Sequence, residues 1–124
     1  MAEKKDAKAK ESDVEDQARE QTGQKQVRLR IDERNMGVNY ANAFRTNGTA
    51  EEVMLDFGTN LINPASQQQG QPEIVFQITE RVILNYYSAK RLAITLSQLI
   101  RRHEDDFGEL ELDVNKRRKG KGRG

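Results

Sequence analysis

The chain has no cysteine, no tryptophan, two prolines and a single histidine among its 124 residues. Without thiols there can be no disulfide, no thiolate nucleophile, no cysteine-ligated zinc and no iron–sulfur cluster, and a lone His103 excludes a multi-histidine metal site. No apolar run approaches the roughly 18 to 20 residues that a membrane-spanning helix needs. The charged opening MAEKKDAKAKE leads into no apolar stretch that could act as a signal peptide. The expectation is a soluble, cytoplasmic protein with no cofactor and no metal. Neither a nucleophile–base pair nor a phosphate loop can be traced, so an enzyme is not expected.

What the chain has is charge, with 21 Lys+Arg against 20 Asp+Glu and a net charge of +1. That balance conceals three regions. Residues 1–26 hold six bases and seven acids, with Val14 as the only large aliphatic residue after Met1. Residues 115–124, NKRRKGKGRG, hold six bases and no acid. Both segments bury too little apolar surface to offset their ordering entropy and are expected to be disordered tails. Residues 27–114 remain as a single α+β domain, large enough to bury somewhat over ~60% of its unfolded surface.

Within this domain the period of the apolar residues predicts a four-stranded antiparallel sheet followed by one C-terminal amphipathic helix. Val27, Leu29 and Ile31 alternate with Arg28 and Arg30 as strand one, and residues 38–45 read as strand two. After the Asn47-Gly48 turn, Val53, Leu55 and Phe57 form strand three, hairpin-paired with strand two. Residues 58–71 combine Pro64, three glutamines and Gly70, and read as a mobile loop. Residues 73–84 form the fourth strand, with Ile74, Phe76, Ile78, Val82 and Leu84 on one face. Glu80 interrupts that face, so the strand ends or bulges there, or the carboxylate sits at the sheet margin. Asn85 is a fitting N-cap for a helix with the stripe Ala89, Leu92, Ala93, Leu96, Leu99, Ile100 and His103, closed by Gly108. Leu110, Leu112 and Val114 could add a short fifth strand. One helix about 10 Å wide cannot cover a sheet roughly 19 Å wide, which predicts a homodimer.

YANAF at 40–44, LDFG at 55–58, RVIL at 81–84, AKRL at 89–92 and HEDDFG at 103–108 occur in this order. They resemble a widespread prokaryotic family of small uncharacterised proteins, a domain of unknown function, over residues 27–112. Where that family usually opens its helix with Ser-Pro, this chain has Asn85-Tyr86. The resemblance implies no activity and covers neither tail. The strand-then-helix order also looks like the half-units of dimeric single-stranded nucleic-acid-binding proteins of the Whirly and transcription-coactivator type, at the level of fold alone.

Two features could contact phosphate. Lys116, Arg117, Arg118, Lys119, Lys121 and Arg123 on a glycine-spaced tail could track a nucleic-acid backbone. The stretch from Glu104 to Asp113 carries six acids and could neutralise that tail instead. Arg28, Arg30, Arg45 and Arg81 fall on the polar parity of the sheet, where they could grip single-stranded RNA or DNA or form cross-strand ion pairs. Tyr40, Phe44, Phe57 and Phe76 fall on the apolar parity, leaving the polar face without stacking platforms. His103 with Glu104, Asp105 and Asp106 reads as a helix end rather than a metal site, and Asn42 and Asp56 as groups that satisfy hairpin backbone. The chain is therefore expected to be a non-enzymatic protein contacting nucleic acid through phosphates with little sequence specificity. The alternative is a homodimeric protein-interaction or assembly module without nucleic-acid binding.

Overall fold

The computed structural model describes residues 13–118. The chain divides into two compact units, Met1–Arg91 and Leu92–Gly124, with the boundary inside the long helix.

The first unit begins with helix α1 over residues 13–22, where the sequence predicts disorder. Arg19 holds its turns by donating to Asp16 (3.1 Å) and Glu15 (3.3 Å), the i,i+3 and i,i+4 spacings at which side chains meet on a helix. Gly23, at φ 73°, ends it, its N–H bonded to the Arg19 carbonyl. The expected strand at residues 27–31 is absent: that alternating segment lies in no regular element and has no neighbouring strand to pair with. Alternation favours a strand only where a sheet edge accepts it.

The sheet has three antiparallel strands in the order β1 (Ala43–Gly48), β2 (Glu52–Ile62) and β3 (Ile74–Asn85). The β1–β2 turn is closed by Thr49, whose N–H donates to the Glu52 carbonyl and whose hydroxyl accepts from Glu51 and Glu52. Asn42 satisfies backbone at the other end of β1, its side-chain oxygen accepting from Asn60 N–H at 2.9 Å. Much of the stretch expected as a mobile loop is built. β2 continues to Ile62, and Pro64–Gln69 form a short 3-10 helix capped by the Asn63 side chain.

Between Phe57/Gly58 of β2 and the opposing β3 residues the register slips by one, leaving Thr79 without a partner. This bulge resolves the break expected near Glu80, and it exchanges the faces of β3. Residues directly opposite one another share a face. On the hairpin side of the bulge, Phe44 and Phe57 lie with Leu55, Val82, Val53 and Leu84 on one face. Beyond it, Ile74, Phe76 and Ile78 stand opposite Ile62, Asn60 and Gly58, on the face that carries Asp56. The single apolar parity predicted for this strand is therefore divided between two faces.

Helix α2 (Tyr86–Phe107) opens as expected, with the Asn85 side chain accepting from Ser88 N–H at 2.8 Å. In the second unit Gly108, at φ 95°, ends it by bonding to the Glu104 carbonyl. The expected fifth strand is replaced by an irregular stretch and the short helix α3 (Val114–Arg117), capped by Asp113. Within each unit, no apolar side chain among the described residues is buried.

Candidate interaction surface

The most ordered polar feature of the sheet is a ladder across all three strands. The register sets Arg45 of β1 opposite Asp56 of β2, and Asp56 opposite Arg81 of β3. Arg45 Nε donates to Asp56 Oδ2 at 2.8 Å, and Arg81 donates through Nε to Oδ1 at 2.7 Å and through Nη2 to Oδ2 at 3.1 Å. Asp56 is only 3% exposed, the most buried polar residue of the described chain. Hydrogen bonds from Arg81, and then from Arg45, hold its carboxyl well below the usual carboxylate range. The same pairing pushes the Arg81 guanidinium up. The two arginine side chains stay 52% and 57% exposed, so the ladder shows the surface two guanidinium edges that share one negative charge.

This arrangement is the cross-strand ion pairing that was one of the two expectations for these arginines. Asp56 serves side chains and not hairpin backbone, which corrects its expected role. Arg28 and Arg30 do not share the face: they lie in the irregular segment before β1, exposed and outside any strand. In the second unit, Lys116 and Arg117 lie in α3 and Arg118 caps it, all exposed. Lys119, Lys121 and Arg123 lie outside the described residues. Three acids of the stretch before α3 serve nearby backbone: Glu104 accepts from Leu110 N–H, Glu111 from Asp113 N–H and Asp113 from Asn115 N–H. His103 lies against the Phe107 ring at 4.9 Å between centroids. Among the described residues no three His, Asp or Glu side chains converge as metal ligands would, and no helix is long and apolar enough to cross a membrane.

The ladder's face also carries exposed apolar side chains, Ile74 at 63% and Ile83 at 54%, and Phe44, 71% exposed, lies on the opposite face. Tyr40, predicted on the apolar strand face, precedes β1 and is exposed, and the bulge moves Phe76 to the ladder's face. A recess of about 460 Å³ under the 3-10 helix is lined by Asn63, Ser66, Gln69, Gln71 and Glu73. Its polar groups are largely committed to one another: Ser66 donates to the Asn63 carbonyl at 2.6 Å and accepts from Glu73 N–H at 2.7 Å.

A model of the family described as a protein of unknown function (DUF3467) matches residues 1–112. The chain belongs to this family. The match takes in the charged N-terminal residues that the motif resemblance left outside, and it ends before α3. No curated protein and no solved structure matches the chain. The DUF3467 match thus spans the sheet, its Arg45–Asp56–Arg81 ladder and the whole of α2, and leaves the basic C-terminal residues 113–124 outside.

Proposed function

We propose that this DUF3467 member is a non-enzymatic protein-interaction module that works by covering its apolar surface with another protein. The observation that carries this reading is that no apolar side chain among the described residues is buried, although exposed Phe, Tyr, Ile, Leu and Val side chains occur on β1, β2, β3 and α2. Isolated exposed apolar residues are ordinary, but contiguous rows across adjacent strands mark contact surfaces. The ladder supports the same choice over phosphate contact. Asp56 removes one of the two positive charges that Arg45 and Arg81 would offer a nucleic acid, and the sheet face carries no further strand-borne arginine.

Two measurements on the full chain test this. A dye that fluoresces on apolar surface should bind wherever the chain is monomeric, with far-UV circular dichroism still showing folded structure. Fluorescence anisotropy with labelled single-stranded RNA and DNA should show no binding that weakens steeply between about 50 and 200 mM salt, the signature of counterion release. Steep, salt-sensitive binding that disappears when the chain ends at Val114 would transfer the function to phosphate contact by the tail.

A further inference from the structure

The ladder is complete on the side of Asp56 and incomplete on the side of its arginines. Both carboxylate oxygens are engaged: Oδ1 accepts from Arg81 Nε, and Oδ2 from Arg81 Nη2 and Arg45 Nε. The Nη groups of Arg45 and Nη1 of Arg81 meet no acceptor among the described residues. A guanidinium is a donor only, and its N–H groups match the paired oxygens of a carboxylate or phosphate. The buried Asp56 already holds both guanidiniums at the surface. Little of their side-chain freedom is left to lose when a ligand binds.

Charge narrows the ligand. Asp56 cancels one of the two positive charges and leaves the other. The strands carry one further acid on this face, Glu52, which stands opposite Asn85. It lies roughly 13 Å along β2 from Asp56, outside the ~8 Å Debye length of physiological salt. Glu80, next to Arg81 in sequence, stands opposite Phe57 on the other face, where it accepts from the Asn39 side chain at 3.0 Å. One carboxylate therefore neutralises what remains, whereas a phosphorylated side chain brings about −1.5 to −2. The neighbours along β3 favour the same choice. Ile83 lies on one side of Arg81 and Ile78, across the bulge, on the other, both exposed on the ladder's face. Apolar contact at these two positions would shield the ladder from water and strengthen its hydrogen bonds to an incoming anion. A hydrated phosphate backbone offers no such cover.

Resting on the reading above, we propose that Arg45 and Arg81 form a clamp for one carboxylate of the partner protein, an Asp or Glu side chain set between apolar side chains that meet Ile78 and Ile83. Asp56 is the positioning residue of this clamp: it touches both guanidiniums and leaves their outer N–H groups for the partner.

Random peptides displayed on phage and selected on the full chain are the probe. They should converge on sequences in which one Asp or Glu stands between Leu, Ile, Val or Phe. A synthetic peptide of the selected sequence should lose about ten- to hundredfold in affinity when that acid is replaced by its amide. In the parent chain the acidic peptide should shift the side-chain Nε–H resonances of Arg45 and Arg81 and the amide peptide should not, a readout that requires no substitution. Arg45→Gln should weaken the acidic peptide and leave the amide peptide unchanged, the non-additivity expected of groups in contact. Selected peptides without a shared acid, or a selection that yields no binder, overturn the clamp and leave the interaction module standing. If the chain also binds no apolar dye, both fall. Single-stranded RNA or DNA that moves the same resonances more than the acidic peptide does overturns the clamp and assigns these arginines to phosphate.

Discussion

Asp56 is held by two guanidiniums from two different strands, so its charge does structural work that either arginine alone could not complete. Its ionised form is favoured in the folded chain, because hydrogen bonds from Arg81 and Arg45 depress its pKa. An unfolded chain returns it to about 3.9. A carboxylate depressed on folding contributes stability above its unfolded pKa, and that contribution is lost as pH falls below it. Asp56→Asn should therefore lower the thermal midpoint by several degrees at pH 7, and the difference from the parent chain should shrink as pH falls from about 5 towards 2. Melting curves at stepped pH decide this; a constant difference would mean that the carboxylate's charge is irrelevant. Gly58 supports the same ladder through close approach. A Cβ there would stand 2.8 Å from the Ile78 Cα and closer still to the Gln77 carbonyl, both backbone atoms that cannot rotate away. Gly58→Ala should cost about 4 kcal/mol or more, read by denaturant unfolding, placing it among the largest single-substitution effects. The sequence displayed Arg45, Asp56 and Arg81 separately. What it did not display was the register: the Thr49 turn sets Arg45 opposite Asp56, and the β2–β3 pairing with its bulge sets Asp56 opposite Arg81, so Asp56 could not be recognised as the common acceptor.

At the scale of elements, the connections resist the weak signals of their sequence. The segment from Asn63 to Glu73 reads as a polar, glutamine-rich loop, yet Asn63 and Glu73 bond through backbone (2.9 Å) and side chains (3.0 Å), and Ser66 links them again from inside. Ser66→Ala removes the acceptor for Glu73 N–H in a buried place. It should cost about 1 to 3 kcal/mol, with faster hydrogen exchange confined to residues 62–74. Tyr86 plays a comparable part at the other end of the sheet. Its hydroxyl donates to the Thr49 carbonyl at 2.7 Å and ties the first turn of α2 to the β1–β2 turn. Tyr86→Phe should cost about 1 kcal/mol in the same unfolding experiment, and a neutral result would show the bond is made equally well by water. Helix α2 was the most legible element, because both its cap at Asn85 and its end at Gly108 are chemical signals local in sequence. The strand expected at 27–31 was the least, because alternation alone does not show which sheet edge is available. The bulge was half legible: Glu80 marked a break in the apolar parity, but only the pairing with β2 reveals that the faces exchange at Thr79.

For the molecule as a whole, apolar burial is the main force that opposes the entropy of ordering a chain. None of the apolar side chains of the described residues is buried, and the proposed interaction module would draw that burial from association. The sequence reading expects a homodimer because one helix cannot cover four strands. The sheet has three strands, and its bulge spreads the apolar rows over both faces. If folding and pairing are one process, unfolding converts one dimer into two chains, and stability becomes concentration-dependent. A tenfold rise in chain concentration should then add about 1.4 kcal/mol to the apparent stability, moving the thermal midpoint upward by several degrees. The parent chain melted across a hundredfold concentration range should show this shift, and Gly58→Ala should show it from a lower starting point. A midpoint that stays fixed across that range would mean that each chain folds alone, and the apolar rows on the sheet would then have to be covered from within it.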